Sequence, residues 1–402
     1  MLKGKKIILG ITGSIAAYKS SFLVRLLIKE GAEVKVVATK SSLEFVTPLT
    51  LATLSGHQVY SDFTENEDQG TWINHVELGL WADLIIMAPL TANTLAKMAN
   101  GICDEFLMAV YLSAKCPVAF APAMDLDMYK HKTTQKNISK LLGFGHLLID
   151  AESGELASGL EGKGRMAEPE NIVVALNSFF LSKAPLNGKQ CLVSAGPTYE
   201  SIDAVRFIGN YSSGKMGFAI AEQLADLGAR VRLVSGPSSM NTSHPNIELI
   251  RVQSAQEMLE ACLDVFSNCQ ITIKSAAVAD YRPKNVSKDK IKKDSSTLNI
   301  ELEPTTDILA TLGQHKRDDQ LLIGFALETQ NEIAYAKGKI ARKNLDLIVV
   351  NSLRDKGAGF GHDTNKVTFI DKHNKMVSFE LKSKQEVAVD LSNKILELCG
   401  IE

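Results

Sequence analysis

Hydrophobic residues recur with strand and helix periods in an order that predicts a parallel sheet at the start of the chain. Residues 4–9 form a short apolar run that ends in a glycine-containing loop, and residues 15–29 place apolar side chains at the i, i+4 spacing of a helix. Gly31 ends this helix, and residues 33–38 predict the next strand. A strand, a loop, a helix and a strand in this order are typical of a parallel α/β sheet.

The same order of elements begins again at residue 188. A strand over residues 188–196 leads through a polar loop to a helix over residues 218–227, and residues 230–235 predict the next strand. A hairpin and a final helix over about 384–398 are predicted at the end of the chain. Short apolar runs predict further buried strands at 84–87, 118–120, 271–273, 321–325 and 345–350.

The segment Ser182-Lys183-Ala184-Pro185-Leu186 marks the predicted boundary between two domains. It follows a helical pattern and precedes the second strand unit, and 402 residues are too many for one ordinary domain. We therefore predict an α/β fold of two Rossmann-like doubly wound domains, over residues 1–183 and 184–402. Ligands of such sheets bind beyond the carboxyl ends of the strands.

Composition excludes several classes of partner. The 44 Lys and Arg residues nearly balance the 46 Asp and Glu residues, so we expect neither nucleic acid nor an anionic membrane as the main partner. No apolar stretch is long enough to span a bilayer, and the first residues read as a strand rather than a signal peptide. The six cysteines form no C-x-x-C pair, which favours reduced thiols and a cytoplasmic location.

Three loops that follow strands of the first domain carry candidate binding residues. Residues 10–14 offer glycines and helix-start amides that can hold a phosphate, or the loop can serve only tight packing. The spacing lacks the full G-x-G-x-x-G fingerprint and Thr39 stands where an acidic residue would be needed, so a mononucleotide fits better than NAD. Residues 88–94 are either a capped turn or a second binding loop, and residues 121–125 end in a carboxylate.

The motifs of the first domain resemble those of the flavin-containing cysteine decarboxylases over most of residues 1–180. The resemblance implies FMN as cofactor, bound by the loops named above, and a trimeric unit with the site between subunits. His75 matches the family's essential histidine, with an acid/base or charge-positioning role. We predict FMN contacts from Gly13, Ser14, Thr39, Pro89, Thr91, Ala92 and Asn93. The matching motifs are Gly10-x-x-Gly13-Ser14-Ile15-Ala16-Ala17-Tyr18-Lys19, Asn74-His75-Val76, Ala88-Pro89-x-Thr91-Ala92-Asn93, Pro122-Ala123-Met124 and Gly162-x-Gly164-Arg165-Met166.

Two residues of the first domain depart from the family pattern. Asp125 replaces the usual Asn after Pro-Ala-Met, and a carboxylate there repels the substrate carboxylate unless it is protonated or bridged by a cation. Ser158 replaces a Cys in the substrate-clamp segment, and a hydroxyl is a far weaker acid than a thiol. We keep Ser158 as a candidate catalytic residue, and Asp125 and Arg165 as candidate substrate-binding residues.

Polar donors follow the first strand of the second domain. Arg206, Asn210 and the segment 212–217 surround a helix start without the P-loop spacing, which favours a phosphate-bearing ligand over a merely polar loop. The small residues 275–279 end a strand and precede Asp280, which can accept hydrogen bonds from a ribose or base. Residues 288–293 form a lysine-rich run that is either a solvated face or a flap over phosphates.

These motifs closely resemble the phosphopantothenoylcysteine synthetase family over about residues 186–400, and the order of the two domains matches the bacterial fused enzyme of coenzyme A biosynthesis. The resemblance implies that 4'-phosphopantothenate attacks CTP with Mg²⁺ to form an acyl-cytidylate, which L-cysteine then captures to give 4'-phosphopantothenoylcysteine. A dimer is implied, and dimers with trimers can build a dodecamer. The matching motifs are Ala195-Gly196-Pro197-Thr198, Arg206-Phe207-Ile208-x-Asn210, Ser212-Ser213-Gly214-Lys215-Met216-Gly217, Ala276-Ala277-Val278-Ala279-Asp280-Tyr281 and Lys290-Ile291-Lys292-Lys293.

The resemblance assigns roles to individual residues of the second domain. Asn210 would orient the acyl-cytidylate, and Lys290 would neutralise charge that develops on the phosphates. Arg206 would contact the acyl substrate or the partner subunit. Ala277, Asp280, Phe325, Lys292 and Lys343 complete the predicted substrate-binding set, and no metal ligand is assigned.

Three alternatives stay open at this point. A tandem-Rossmann dehydrogenase needs the G-x-G-x-x-G fingerprint and an acidic residue at the end of the second strand. Neither half of the chain supplies both of these features. An active ligase with an impaired or non-catalytic flavin domain is favoured by Asp125 and Ser158. A non-enzymatic flavin-binding regulatory subunit is disfavoured by the intact ligase motifs.

Overall fold

The computed structural model describes residues 1–66, 71–292, 298–328, 332–352 and 362–401, and divides into two compact units. The first unit covers Met1–Phe180 and the second covers Leu181–Glu402. The division lies three residues before the predicted limit at residue 183, inside the helix Pro169–Lys183.

The N-terminal unit is a parallel sheet flanked by helices. Its main sheet has the order β3-β2-β1-β6-β7-β8. All pairings in this sheet are parallel. Two 3-10 helices occupy Ile15–Ala17 and Lys40–Glu44. The strands are β1 Lys6–Ile11, β2 Glu33–Ala38, β3 Val59–Tyr60, β4 Thr64–Asn66, β5 Thr71–Trp72, β6 Leu84–Leu90, β7 Val118–Pro122, β8 Leu147–Leu148, β9 Glu152–Glu155 and β10 Glu161–Arg165, and the helices are α1 Tyr18–Lys29, α2 Pro48–Ser55, α3 His75–Trp81, α4 Ala92–Asn100, α5 Phe106–Ser113, α6 Leu126–Lys130, α7 Lys132–Gly143 and α8 Pro169–Lys183.

Alternate residues of β1 enter two different hydrophobic clusters. Ile7 and Leu9 pack into the cluster on one face, whereas Ile8 packs into the cluster on the other. Both clusters are fully buried at these positions, because helices cover each face of the sheet. The strand therefore reads as a continuous apolar run, and its polar neighbours lie only at the ends.

The C-terminal unit repeats this architecture with a longer sheet. The order is β15-β14-β11-β16-β19-β20-β22-β23, in which the last two strands are antiparallel to their neighbours. The strands are β11 Gln190–Ala195, β12 Tyr199–Ser201, β13 Phe207–Gly209, β14 Arg230–Ser235, β15 Ile247–Arg251, β16 Ile271–Lys274, β17 Tyr281–Pro283, β18 Leu302–Pro304, β19 Leu321–Glu328, β20 Leu347–Ser352, β21 Thr364–Asn365, β22 Val367–Asp371, β23 Met376–Ser378 and β24 Lys382–Ser383, and the helices are α9 Lys215–Asp226, α10 Ala255–Phe266, α11 Ile308–Gln314, α12 Glu332–Arg342 and α13 Lys384–Leu398.

The prediction of two Rossmann-like α/β domains is confirmed, with small differences at the ends of elements. Helix α9 begins at Lys215, three residues before the predicted start at 218, because Gly214 adopts a φ of 81° directly before it. Strand β6 continues to Leu90, since the segment after residue 87 still pairs with β7. None of the helices in the described part of the chain is long and apolar enough to cross a membrane.

Candidate functional sites

Hydrogen bonds hold two loops together at the carboxyl edge of the N-terminal sheet. The buried hydroxyl of Thr12, after β1, donates to the carbonyl of Pro89 at 2.8 Å and accepts from the N–H of Thr91 at 3.0 Å. Ser20 donates to the carbonyl of Ala88 at 2.9 Å. The loops that follow β1 and β6 are thus fixed relative to each other.

Gly13 lies where its loop passes very close to the loop after β2. A Cβ at this position would come within 2.4 Å of the Ser41 hydroxyl oxygen, so the approach requires glycine. Thr39 is buried, and its hydroxyl lies 3.2 Å from that of Ser41. Ser14 caps the short helix that follows by accepting from the N–H of Ala16 at 3.2 Å.

A hairpin formed by β9 and β10 packs against the segment after β7. The N–H of Met124 donates to the carbonyl of Gly164 at 3.0 Å, and a Cβ at Gly164 would collide with the Met124 carbonyl at 2.3 Å. This contact brings the hairpin turn with Ser158 to the same cavity as Asp125. The cavity has a volume of about 390 Å³ and is lined by Ser14, Ile15, Ala16, Tyr18, Lys19, Ala123, Met124, Asp125, Glu155, Leu156, Ala157, Ser158, Gly164, Arg165 and Met166.

Two cations of this cavity share one carboxylate. Lys19 is buried, and its ammonium donates to the carbonyl of Met166 at 3.1 Å and to Glu168 Oε1 at 2.9 Å. Arg165 donates to the same oxygen at 2.7 Å. The hydrogen bond from Lys19, with the charges of Lys19 and Arg165, holds the pKa of Glu168 below its ordinary value. Lys19 is the last residue of the first family motif, and no binding role was predicted for it.

His75 lies apart from the residues that line this cavity. It is the first residue of α3, which Asn74 caps by accepting from the N–H groups of Val76 and Glu77. Its ring meets those of Phe63 and Trp72 edge-on, each with ring centroids 6.0 Å away. The Nδ1 atom is buried and has no hydrogen-bond partner among the described residues.

The structure brings only some of the predicted N-terminal residues together. Ser14, Asp125, Ser158 and Arg165 line one cavity. The predicted flavin contacts Gly13, Thr39, Pro89, Thr91, Ala92 and Asn93 lie in or next to the adjoining loops and do not line it.

Three loops also converge at the carboxyl edge of the C-terminal sheet. The Thr198 hydroxyl accepts from the N–H of Ala279 at 3.0 Å, and the Ser194 hydroxyl accepts from the N–H of Ala276 at 3.3 Å. The Asn210 amide donates to the carbonyl of Val278 at 2.9 Å. The loop after β11, the turn after β13 and the loop after β16 are therefore linked through side chains.

These loops enclose the larger of the two sites, a cavity of about 440 Å³. Four of the predicted residues line it: Asn210, Ala277, Asp280 and Phe325. Helix α9 begins at the cavity, and Gly217 packs so tightly that a Cβ would lie 2.5 Å from the Ala195 Cβ. The remaining lining residues are Ser212, Ser213, Gly214, Lys215, Met216, Gly217, Ser275, Ala276, Val278, Ala326, Leu327, Lys339, Asn351, Asn365 and Lys384.

The far wall of this cavity was not predicted from the sequence. Lys384 is buried at the start of α13 and donates to the carbonyl of His362 at 2.6 Å. Burial, and then the positive charge of Lys215, lower the pKa of Lys384. Asn351 lies within β20, near its carboxyl end, and its buried Oδ1 has no hydrogen-bond partner among the described residues. The available sequence signal was the position of Lys384 three, four and seven residues before Val387, Ala388 and Leu391, which places it on the apolar side of the predicted helix.

Arg206 and the lysine-rich segment form a cluster outside the lining of this cavity. The buried Asp203 accepts from the N–H of Ile291 at 3.2 Å, and the Arg206 guanidinium donates to the carbonyl of Ile291 at 3.0 Å. Lys290 and Lys292 flank this anchor and are exposed. Lys293, the last residue of the predicted motif, lies outside the described residues.

Lys343 lies in neither cavity lining. Its ammonium pairs with Asp307 Oδ2 at 2.7 Å, and it precedes β20, at the amino end of that strand. Within the described ranges, no three His, Cys, Asp or Glu side chains form a group that could hold a metal ion.

Both halves of the chain match known protein families. Residues 1–181 match the Flavoprotein family, and residues 186–398 match the DNA/pantothenate metabolism flavoprotein C-terminal domain. A solved structure of the C-terminal domain of the coenzyme A biosynthesis bifunctional protein CoaBC is 46% identical, covers 54% of this chain and 97% of its own, and has a TM-score of 0.46.

Full-length relatives match across both halves. A cysteine/cysteine sulfinic acid decarboxylase from an unknown prokaryotic organism is 55% identical over 88% of this chain and 99% of the relative. The coenzyme A biosynthesis bifunctional protein CoaBC of Bacillus subtilis is 46% identical over 99% of this chain and 98% of the relative. The chain therefore belongs to the family of bifunctional coenzyme A biosynthesis enzymes, in which a flavoprotein decarboxylase domain precedes a ligase domain.

Proposed function

We propose that the C-terminal unit joins 4'-phosphopantothenate to L-cysteine with CTP and Mg²⁺, and that the N-terminal unit decarboxylates the resulting 4'-phosphopantothenoylcysteine with FMN. The proposal is carried by the two separate cavities beyond the carboxyl ends of two parallel sheets, one per unit. Such positions are the usual ligand sites of doubly wound folds. Phosphopantetheine would then leave as the final product.

In the ligase step, the 4'-phosphopantothenate carboxylate attacks the α-phosphate of CTP, pyrophosphate leaves, and the cysteine amine captures the acyl-cytidylate with release of CMP. Lys215, Lys339 and Lys384 line the cavity and supply positive charge suited to a triphosphate. Asn210 is held by the Val278 carbonyl and would orient the acyl group. Mg²⁺ would bind mainly through the phosphates, as it does in many nucleotide-dependent enzymes.

The lysine-rich segment and the carboxylate of Asp280 would act at the mouth of this site. Asp280 lines the cavity and is exposed, so it can reach a ribose or a bound cation. Lys290 and Lys292 are held near Arg206 by the Ile291 anchor, and would approach the phosphates from outside the cavity. We retain Ala277 and Phe325 as nucleotide contacts and Lys343 as a predicted substrate contact.

The N-terminal unit offers a site that fits FMN. At Gly13, where a Cβ would collide with Ser41, the loops after β1 and β2 pack directly against each other, which would bring the candidate phosphate contacts Ser14 and Thr39 to one part of the sheet edge. Ser14, Thr39, Pro89, Thr91, Ala92 and Asn93 would complete the contacts. Bound FMN supplies the electron acceptor for the substrate thiol, which makes loss of CO2 favourable. Arg165 would hold the substrate, and Ser158 would deliver a proton from the hairpin turn.

The assembly proposed for each unit rests on exposed apolar residues beside its site. Ile15, Tyr18 and Phe22 are 59%, 50% and 57% exposed on and just before α1, next to the N-terminal cavity. A trimer would cover such a surface and place His75 of one subunit at the cavity of the next. Val205 and Tyr211, near Arg206, are 62% and 88% exposed, which supports a dimer of the C-terminal units.

The decisive experiment is incubation of the full chain with 4'-phosphopantothenate, L-cysteine, CTP and Mg²⁺, followed by mass spectrometry. Phosphopantetheine is expected, and the purified protein should be yellow with flavin absorbance. Accumulation of 4'-phosphopantothenoylcysteine would leave only the ligase active. Location in the cytoplasm is proposed because Cys191, Cys262 and Cys269 are buried free thiols, and cell fractionation tests it.

A second candidate substrate exists for the N-terminal unit. The relative that is 55% identical to this chain is named for decarboxylation of cysteine and cysteine sulfinic acid. We include free L-cysteine and L-cysteine sulfinate as candidate substrates on this observation. Release of CO2 from either, compared with release from 4'-phosphopantothenoylcysteine at equal concentration, decides between them.

A further inference from the structure

Asp125 is an unpaired carboxylate in the N-terminal cavity. It immediately precedes α6 with a φ of −62° and a ψ of 157°, yet its side chain caps no helix N–H. Within the described part of the chain, its carboxylate makes no hydrogen bond and no ion pair, whereas Lys19 and Arg165 in the same cavity are both satisfied by Glu168. A partly buried carboxylate without a partner favours a ligand that donates hydrogen bonds or carries positive charge.

We propose that Asp125 is a specificity residue that recognises the free α-ammonium group of a thiol-bearing amino acid. An ammonium offers three donors and a full positive charge, whereas the amide nitrogen of an acylated cysteine offers one donor and no charge. The inference rests on the second of the two kinds of decarboxylase substrate proposed above, the free amino acid. It predicts that the N-terminal unit prefers cysteine-like amino acids with a free amine over N-acylated cysteine.

Charge balance supports this preference. The substrate carboxylate must enter a cavity that already contains Asp125 and Glu155, and Asp125 repels it when the substrate nitrogen is neutral. A zwitterion brings its own positive charge, so its ammonium can face Asp125 while its acidic group faces Lys19 and Arg165. These two cations come from α1 and β10, and Asp125 follows β7, so the charges of opposite sign are presented by different elements.

The reaction needs no additional oxidant or reductant overall. The bond between Cα and the carboxyl carbon breaks, CO2 leaves, and one proton is added at Cα. Cysteine then gives cysteamine with no net oxidation or reduction. The ammonium is unchanged by this step, so substrate and product both keep the group that Asp125 would recognise.

Binding of products provides a test that does not depend on turnover. The full-length protein loaded with FMN is titrated by calorimetry with cysteamine and with N-acetylcysteamine, which differ in the ammonium. Wild type is expected to bind cysteamine about tenfold to a hundredfold more tightly, as a charge-assisted hydrogen bond allows. Asp125→Asn should remove this difference. Asp127→Asn removes an exposed carboxylate on α6 outside the cavity lining and should preserve it.

Measurement of CO2 release distinguishes failure of this inference from failure of the proposed function. CO2 release is measured from L-cysteine, N-acetylcysteine and 4'-phosphopantothenoylcysteine. A wild-type preference for cysteine over N-acetylcysteine that disappears in Asp125→Asn supports the inference. Equal binding of cysteamine and N-acetylcysteamine by wild type overturns it, even if 4'-phosphopantothenoylcysteine is decarboxylated and the proposed function stands. If CO2 is released from none of the three compounds, the decarboxylase function is overturned. In that case the calorimetric comparison alone tests the role of Asp125.

Discussion

The amide of Asn210 donates a hydrogen bond of 2.9 Å to the backbone carbonyl of Val278. The two residues come from different loops, one after β13 and one after β16, and both line the C-terminal cavity. A second, longer contact of 3.5 Å reaches the carbonyl of Ala277. Because the amide nitrogen is used in this way, Oδ1 is oriented by the fold, and it makes no hydrogen bond within the described residues.

Replacement of Asn210 by Ala should strongly reduce ligase activity without unfolding the protein. The lost hydrogen bond is exposed, so we expect the free energy of unfolding to fall by about 1 kcal/mol. CMP formation should fall on the order of a hundredfold, because the acyl group is no longer oriented. Chemical denaturation and a CMP assay measure the two effects separately.

Two further variants sharpen this test. Asn210→Asp keeps the size but places an acceptor against the Val278 carbonyl, and should be as inactive as Asn210→Ala. Asn187→Ala removes an exposed amide outside the cavity and should retain full activity. Unchanged CMP formation in Asn210→Ala would refute the assignment.

The fold was largely predictable because buried strands and glycine-terminated helices leave strong periodic signals. Ile271–Lys274, for instance, differs by a single residue from the predicted strand at 271–273. The ends of elements were less predictable, since they depend on tertiary contacts. Strand β6 extends to Leu90 because Leu90 pairs with Pro122 of β7. No pattern within residues 84–90 alone encodes that pairing.

The sites were only partly predictable, because each cavity is built from distant parts of the chain. Asn210 and Asp280 were found because they follow strands, whose carboxyl ends meet at one edge of the sheet. Lys384 enters the same cavity from the start of the last helix, where no loop motif marks it. Lys343 was predicted as a substrate contact, but it precedes β20 and is paired with Asp307. That role stays a prediction.

Lys384 should make CTP binding sensitive to alkaline pH. Its pKa is lowered from 10.5 by burial and by Lys215, so the ammonium loses its proton at a lower pH than an ordinary lysine. The charge that attracts the triphosphate is present below this lowered pKa and disappears as pH rises through it. We therefore expect the KM for CTP to rise with pH in the window below 10.5, measured by pyrophosphate release.

The same protonation equilibrium predicts that the protein becomes more stable as pH rises, although its binding of CTP becomes weaker. The unfolded chain keeps the higher pKa and binds more protons, so the contribution of Lys384 to the free energy of unfolding increases as pH rises through this window. Lys384→Arg should flatten the dependence of KM on pH, because a guanidinium stays charged. Lys183→Arg, on an exposed helix end, is the matched control. An unaltered pH profile in Lys384→Arg would contradict the role.

Ser158 should limit the proton transfer that accompanies reduction of the decarboxylated intermediate, an enethiol, to 4'-phosphopantetheine. Its hydroxyl lies in the turn between β9 and β10, 3.5 Å from the N–H of Leu160, and lines the cavity with Asp125. A thiol is a much stronger acid than a serine hydroxyl. Ser158→Cys is therefore expected to raise the ratio of 4'-phosphopantetheine to the enethiol, which is two hydrogen atoms lighter, as measured by mass spectrometry.

Ser158→Ala provides the opposite comparison. If the hydroxyl relays a proton, this variant should shift the product toward the enethiol, and CO2 release continues in an aerated assay because dioxygen reoxidises the flavin. Leu160→Ala alters the same turn without changing an ionisable or hydroxyl group, and should leave the product ratio unchanged. Equal product ratios in wild type and Ser158→Ala would exclude a catalytic role for the serine.

His75 and Arg165 should act in one site that is completed by two subunits. Arg165 lines the N-terminal cavity and His75 does not, although both match the family motifs. The place of His75 between exposed Trp72 and Val76 favours a contact with another molecule at this surface. His75→Ala and Arg165→Ala are each expected to lose decarboxylation of 4'-phosphopantothenoylcysteine while retaining flavin absorbance.

Mixing the two inactive variants distinguishes a shared site from a site within one chain. In a randomly mixed trimer, about a quarter of the interfaces combine an intact His75 from one chain with an intact Arg165 from its neighbour. Co-expression should therefore restore up to about a quarter of wild-type CO2 release, whereas ligase activity should stay constant throughout. Trp72→Ala is a weaker perturbation of the same surface and should reduce, not abolish, the recovery. If co-expressed variants are no more active than either alone, His75 acts within its own chain or not at all.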